Sequence, residues 1–176
     1  FVMVHTPIIT ANDAEGAGEM FQVTTLEQAN MGSEVDYSQD FFNQKTSLTV
    51  SGQLAAEAYA QAFSKVYTFG PTFRAENSNT TRHAAEFWMI EPEIAYANLA
   101  DSIKLAQEVL IYVVKYVLEQ APQELAFLAK LRPEINLIER LEKLVASEFQ
   151  QISYDQAIKI LQEAVEAGHQ FVNPVT

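Results

Sequence analysis

The 176-residue sequence contains no cysteine. That excludes a disulfide framework and any thiolate-ligated metal site, and it fits a reducing, cytoplasmic setting. Cations are scarce as well, with 11 Lys and Arg against 23 Asp and Glu and a formal net charge of -12. A chain this acidic is excluded as a general binder of the phosphate backbone. Residues 1–50 hold one cation, Lys45, so any basic nucleic-acid surface is expected largely elsewhere. Long apolar runs are missing too. The strongest, at 109–118, is interrupted by Lys115 and falls short of the roughly 20 residues a membrane span needs. The opening FVMVHTPII has neither the basic start nor the small-residue cleavage site of a signal peptide. It reads as mid-strand, and the chain is expected to be a piece of something longer. His5 and His169 have no partner at ligand spacing, so no metal site is read. The GAG at 16–18 has no strand–helix frame around it and is a loop element, not a dinucleotide fingerprint.

What is present suits one domain with a sizeable core, since 48% of the residues are hydrophobic. Val2, Val4, Ile8 and Ile9 suggest an extended entry broken by Pro7. Residues 10–20 are small, acidic and glycine-bearing, a loop. FQVTTL at 21–26 and SLTVS at 47–51 read as short strands, with a polar surface insertion at 28–40 between them. Ser51 is placed to N-cap a helix over QLAAEAYAQAFSK. VYTFGPTFRAE and EFWMIEPEIAYA then alternate on either side of the polar NSNTTRHAA, which predicts an antiparallel hairpin with strands at 66–76 and 86–96. Beyond it, Ile103, Leu105, Leu110, Val113, Val114 and Val117 mark a helix over 101–120. Ile135, Leu137, Ile138, Leu141 and Leu144 mark another, and Ser153 with Gln156 is a capping-box start for a third ending near Gly168. Strands first and helices last predict an α+β domain, an antiparallel β-sheet flanked by helices.

The chemistry concentrates on the hairpin. Arg74 and Glu76 are two apart on a strand and share a face. Arg82 and His83 sit on the loop, and Phe87 on the returning strand. A guanidinium fork matches two phosphate oxygens at once, and an aromatic plane beside it makes a nucleotide seat. The same residue types also allow a surface salt bridge from Arg74 to Glu76 or Glu86, with Phe87 in a core. Glu91 and Glu93 share a strand face and are read as structural, or as distant partners of Arg74.

The full string YTFGPTFRAENSNTTRHAAEFWMIEPE closely resembles motif two of the class II aminoacyl-tRNA synthetases, with its FRxE, variable loop and RHxxEF. TPIITANDAEGAGEMFQV resembles the end of motif one running into the loop that closes over the amino acid. LTVSGQLAAE resembles the amino-acid-binding strand and helix of the aspartyl and asparaginyl subclass. The chain is thus identified as part of one class II catalytic domain of bacterial asparaginyl type. Its expected parts are the motif-one end at 1–10, the amino-acid segment at 47–58, motif two at 66–93 and a helical region at 98–170.

The resemblance implies that Arg74 is catalytic, binding the ATP α-phosphate. It implies that Glu76 contacts ATP, that Phe87 stacks on adenine, and that Arg82 and His83 reach the distal phosphates. It implies that Glu15 and Gln53 hold the α-amino group of the amino acid. The aspartyl relatives carry a lysine three residues after the glutamine; here that position is Ala56, and the next is Glu57. A carboxylate there would repel aspartate and accept from an asparagine amide. The expected activity is ATP-dependent activation of asparagine and its ligation to tRNA(Asn), by a homodimer with no membrane association. The glycine-rich motif three, the acidic Mg²⁺ ligands upstream of it, the first half of motif one and the anticodon-binding domain are not found in the sequence. Mg²⁺ ligands and most tRNA contacts are therefore expected outside it, and the piece by itself is expected to be inactive. Two other classes fit the same residues: a tRNA-independent paralogue that makes asparagine or another amide, and a non-catalytic dimerisation or interaction module.

Overall fold

Alternation organises the amino-terminal half. The computed structural model describes residues 1–176 apart from 13, 15, 17–18, 28–34, 79 and 174–176. Among the described residues six strands and five α-helices form in the order β1 (Val2–Met3), β2 (Ile9–Thr10), β3 (Gln22–Val23), β4 (Thr46–Leu48), α1 (Gln53–Phe63), β5 (Lys65–Phe73), β6 (Glu86–Ile94), α2 (Leu99–Gln120), α3 (Pro122–Leu131), α4 (Leu137–Ala146) and α5 (Tyr154–Glu166). The predicted hairpin is β5 with β6, antiparallel, with Lys65 opposite Ile94 and Phe73 opposite Glu86. β1 joins the other side of β5 in parallel, giving the order β1-β5-β6. A second, antiparallel sheet has the order β2-β4-β3. Phe73 N–H donates to Thr49 O at 2.9 Å and Ala75 N–H to Glu19 O at 2.7 Å, so the end of β5 is tied to the segments around β4 and β3.

On β5, Val66, Thr68 and Thr72 are buried while Phe69 on the opposite face is half exposed. That is the period-2 pattern of a strand with one face covered. The cover is α1. Ala56 and Ala60, one turn apart, pack with Val4 and Val66 into the core. Side chains this small let the helix axis approach the sheet closely. Burying Val66 completely contributes about 1.5–3 kcal/mol. Closeness also explains Gly52, where a Cβ would meet Thr6 Oγ1 at 2.9 Å and Thr68 Oγ1 at 3.1 Å.

The chain divides into two compact units, residues 1–98 and 99–176. Within the second unit, α2, α3 and α4 pack on one another around the buried Leu125. Three details differ from the sequence expectations. The N-cap of α1 is Gly52, without a side-chain cap, one residue after Ser51. On α2 Leu110 and Val113 are exposed, and the half-buried stripe keeps Ile103, Leu105, Val114 and Val117 while adding Ile111 and Leu118. Helix α3 was not foreseen; it starts one residue after α2 ends, with Pro122 in its first turn, where proline costs no intrahelical hydrogen bond. The capping box of α5 forms as expected, Ser153 accepting from Gln156 N–H and Gln156 returning the bond, and Gly168 follows with φ +90°. Among the described residues no helix is long and apolar enough to cross a membrane.

Candidate functional site

The covered face of the hairpin carries the site. Register places Thr72 opposite Phe87 and Thr68 opposite Glu91, and alternation puts Thr68, Thr72, Phe87, Met89 and Glu91 on one side. The pairing extends past β5, since Arg74 N–H donates to Ala85 O at 2.9 Å. Arg74 therefore continues the Thr68–Thr72 row. Thr72 Oγ1 donates to Phe87 O at 3.1 Å and ties the two strands where the site begins.

Arg74, Glu76, Arg82, His83 and Phe87 line one cavity of about 450 Å³. The five hairpin residues read as a nucleotide seat are brought together, whereas Glu86, Glu91 and Glu93 are not among its lining. The Arg74 guanidinium lies over the Phe87 ring at 5.5 Å from its centroid, a cation–π contact that orients it. Its Nε is buried with no acceptor. A buried donor left unpaired costs about 1–3 kcal/mol, so among the described residues Arg74 Nε is a donor still open to an acceptor. The surface salt bridge considered for Arg74 does not form. The loop has its own order: Thr80 Oγ1 is hydrogen-bonded to His83 Nδ1 and accepts from Arg82 N–H at 3.3 Å. Arg82 and His83 both line the cavity from this turn.

The amino-acid residues stand apart from that cluster. Gln53 Nε2 donates to Glu57 Oε1 at 3.0 Å, an i,i+4 pair on α1. Neither lines the cavity with Arg74. Ala56 is fully buried against the sheet, and Glu57, one residue and about 100° further round the helix, is exposed. Glu15 lies outside the described residues. A second cavity of about 370 Å³ is bounded by Thr10 at the end of β2, by Asn12 and Ala14 on the loop after it, and by Ser51 and Gly52 before α1.

Glu91 takes the structural of its two expected roles. Its carboxylate accepts from Ser51 Oγ, from Gly52 N–H at 3.1 Å and from Thr68 Oγ1 at 3.1 Å. It cannot also pair with Arg74, which lies six residues along β5 from Thr68, about 20 Å at the rise of a strand. An acid on the covered phase of an alternating strand was the available signal. Its partners, 23 to 40 residues earlier, were not. Among the described residues no three His, Cys, Asp or Glu side chains converge as a metal site.

Residues 1–174 match the family model of class II tRNA synthetases (D, K and N). The sequence is 58% identical over 179 residues to an asparagine–tRNA ligase of Alkaliphilus metalliredigens, covering 99% of this chain and 38% of that protein. A Bacillus cytotoxicus asparagine–tRNA ligase matches at the same identity and coverage. The chain thus spans well under half the length of these relatives. In structure it is similar to the asparaginyl-tRNA synthetase of Pyrococcus horikoshii complexed with asparaginyl-adenylate, with a TM-score of 0.71 and 30% identity over all of this chain and 35% of that one. This chain belongs to the class II tRNA synthetases of the D, K and N group.

Proposed function

We propose that the protein carrying this segment activates asparagine with ATP and ligates it to tRNA(Asn). The observation that carries the reading is one cavity that Arg74 shares with Arg82, His83 and the Phe87 ring, and in which the buried Arg74 Nε has no partner. That arrangement suits a nucleotide triphosphate. The Arg74 fork takes the α-phosphate, Arg82 and His83 the distal phosphates, and Phe87 gives the adenine a flat apolar surface. The asparagine carboxylate forms a bond to the α-phosphorus as the bond to the β-bridging oxygen breaks, and pyrophosphate leaves. Arg74 neutralises the charge that accumulates on the equatorial oxygens, the kind of preorganised donor that contributes most to such reactions.

Gln53 and Glu15 are proposed to hold the α-amino group, with Gln53 oriented by its bond to Glu57. The absence of a cation at Ala56 and the negative charge of Glu57 favour an amide over a carboxylate side chain. Mg²⁺, which would shield the triphosphate when bound, is assigned ligands outside this segment. tRNA contacts are assigned mainly to other parts of the protein, because residues 1–98 hold only four cations, Lys45, Lys65, Arg74 and Arg82. Assembly as a cytoplasmic homodimer belongs to the same reading. Pyrophosphate exchange by the protein as encoded tests it. Exchange dependent on asparagine and not on aspartate is expected; equal rates with both would overturn the substrate assignment.

A further inference from the structure

Helix α1 begins without a side-chain cap, although the first turn of any helix leaves backbone N–H groups without intrahelical partners. The missing acceptor comes from the far strand. One oxygen of Glu91, on β6, accepts from Gly52 N–H and from Thr68 Oγ1, each at 3.1 Å. The other accepts from Ser51 Oγ, which itself accepts from Gln53 N–H at 3.1 Å. One carboxylate thus serves the N–H of Gly52 directly and that of Gln53 through a hydroxyl. Its negative charge also complements the positive end of the helix dipole. The contact leaves no slack, because a Cβ at Gly52 would lie 3.1 Å from two atoms of Thr68. Thr68 and Glu91 are register partners, so the start of α1 is seated on a single rung of the hairpin. Along the same face of the same hairpin, further up, stand Arg74 and Phe87.

We propose that Glu91 is a positioning residue: it locks the first turn of α1 to the hairpin and so sets Gln53 at a fixed spacing from the phosphate-binding arginine. The inference rests on the reading of Gln53 as an amino-acid ligand. It differs from a general packing role because the lock acts on one end of one helix. Weakening it should therefore alter amino-acid binding while leaving the ATP cluster, on the opposite end of the hairpin, in place.

The test uses Glu91→Gln in the protein as encoded, which keeps the shape but turns an NH2 group toward hydrogen-bond donors. The KM for asparagine is expected to rise about tenfold and the KM for ATP to stay within about twofold. Amide hydrogen exchange of peptides spanning 51–58 should speed up about tenfold, with those spanning 65–73 unchanged. Where Glu91→Gln does not fold, the pair Ser51→Ala and Thr68→Val removes two of the donors with Glu91 intact, and a smaller shift in the same direction is expected. A raised KM for asparagine with residues 51–58 still protected would overturn the proposal, since Glu91 would then act on the substrate directly. So would faster exchange with no change in either KM. Failure of the parent reading looks different: the unsubstituted protein would show no asparagine-dependent exchange, whatever Glu91 does to α1.

Discussion

Arg74→Ala removes a guanidinium whose Nε is buried without an acceptor among the described residues and whose Cζ lies 5.5 Å from the Phe87 centroid. For stability, two losses oppose one gain. The cation–π contact contributes about 0.5–1 kcal/mol, and the half-buried stem about 0.8 kcal/mol for each methylene fully removed from water. Against these, deleting an unpaired buried donor recovers about 1–3 kcal/mol. The sum lies within about 1 kcal/mol of zero, a shift in Tm of a few degrees in either direction for a chain of this size. Activity should behave quite differently. Losing a principal electrostatic donor to the transition state costs at least about 100-fold, or about 2.7 kcal/mol. The assays are thermal unfolding and asparagine-dependent pyrophosphate exchange on the same preparation. Arg74→Lys, which keeps the charge without the fork, should recover only part of the rate. A destabilisation above about 3 kcal/mol with less than tenfold loss of exchange would refute the reasoning and make Arg74 a structural residue.

Three further outcomes are expected. The isolated 176-residue chain should bind ATP with Mg²⁺ only weakly, because Arg74, Arg82 and His83 face a triphosphate on a molecule of net charge -12; micromolar affinity by calorimetric titration would show that these residues suffice. Glu57→Gln should raise aspartate-dependent exchange relative to asparagine about tenfold, and an unchanged ratio would remove Glu57 from the specificity argument, as its exposed position on α1 allows. Asp40 is held well below the usual carboxylate range, chiefly by the Thr24 hydroxyl, then by Thr25 N–H, with the Thr25 hydroxyl and Phe41 N–H adding to the effect and burial opposing it. A depressed folded pKa means its stabilising contribution is complete above the unfolded value of about 3.9 and is lost as pH falls toward the folded value. The Tm gap between the unsubstituted chain and Asp40→Asn should therefore be constant from pH 7 to 5 and narrow below about pH 4; a gap that does not change with pH would exclude the linkage.

Much of the hairpin was legible because its determinants are local. Period-2 alternation needs only neighbouring residues, so the two strands and their pairing followed from the string itself, although β5 ends at Phe73 and leaves Arg74 and Glu76 just beyond the strand on which they were expected. The capping box at Ser153 and Gln156 was readable for the same reason, since both partners lie within one turn. The family resemblance also rested on contiguous residues, and the family match over 1–174 agrees with it. Tertiary structure decided what depends on partners far along the chain. Helical phase can be read from sequence, but which phase faces the sheet is set by the β-strands underneath. Packing chose the small Ala56 and Ala60 for the inside and turned Glu57 outward. Ser51 was read as a cap from its position before the helix, yet the cap is Gly52, because only a residue without a side chain fits over Thr68. Helix α3 escaped notice because Pro122 closes one helix and opens another with the same local signal. Glu91 could not be assigned from sequence at all: its role is defined by donors 39 and 40 residues earlier, and such pairings arise only when burial of the apolar face brings α1 down onto the hairpin.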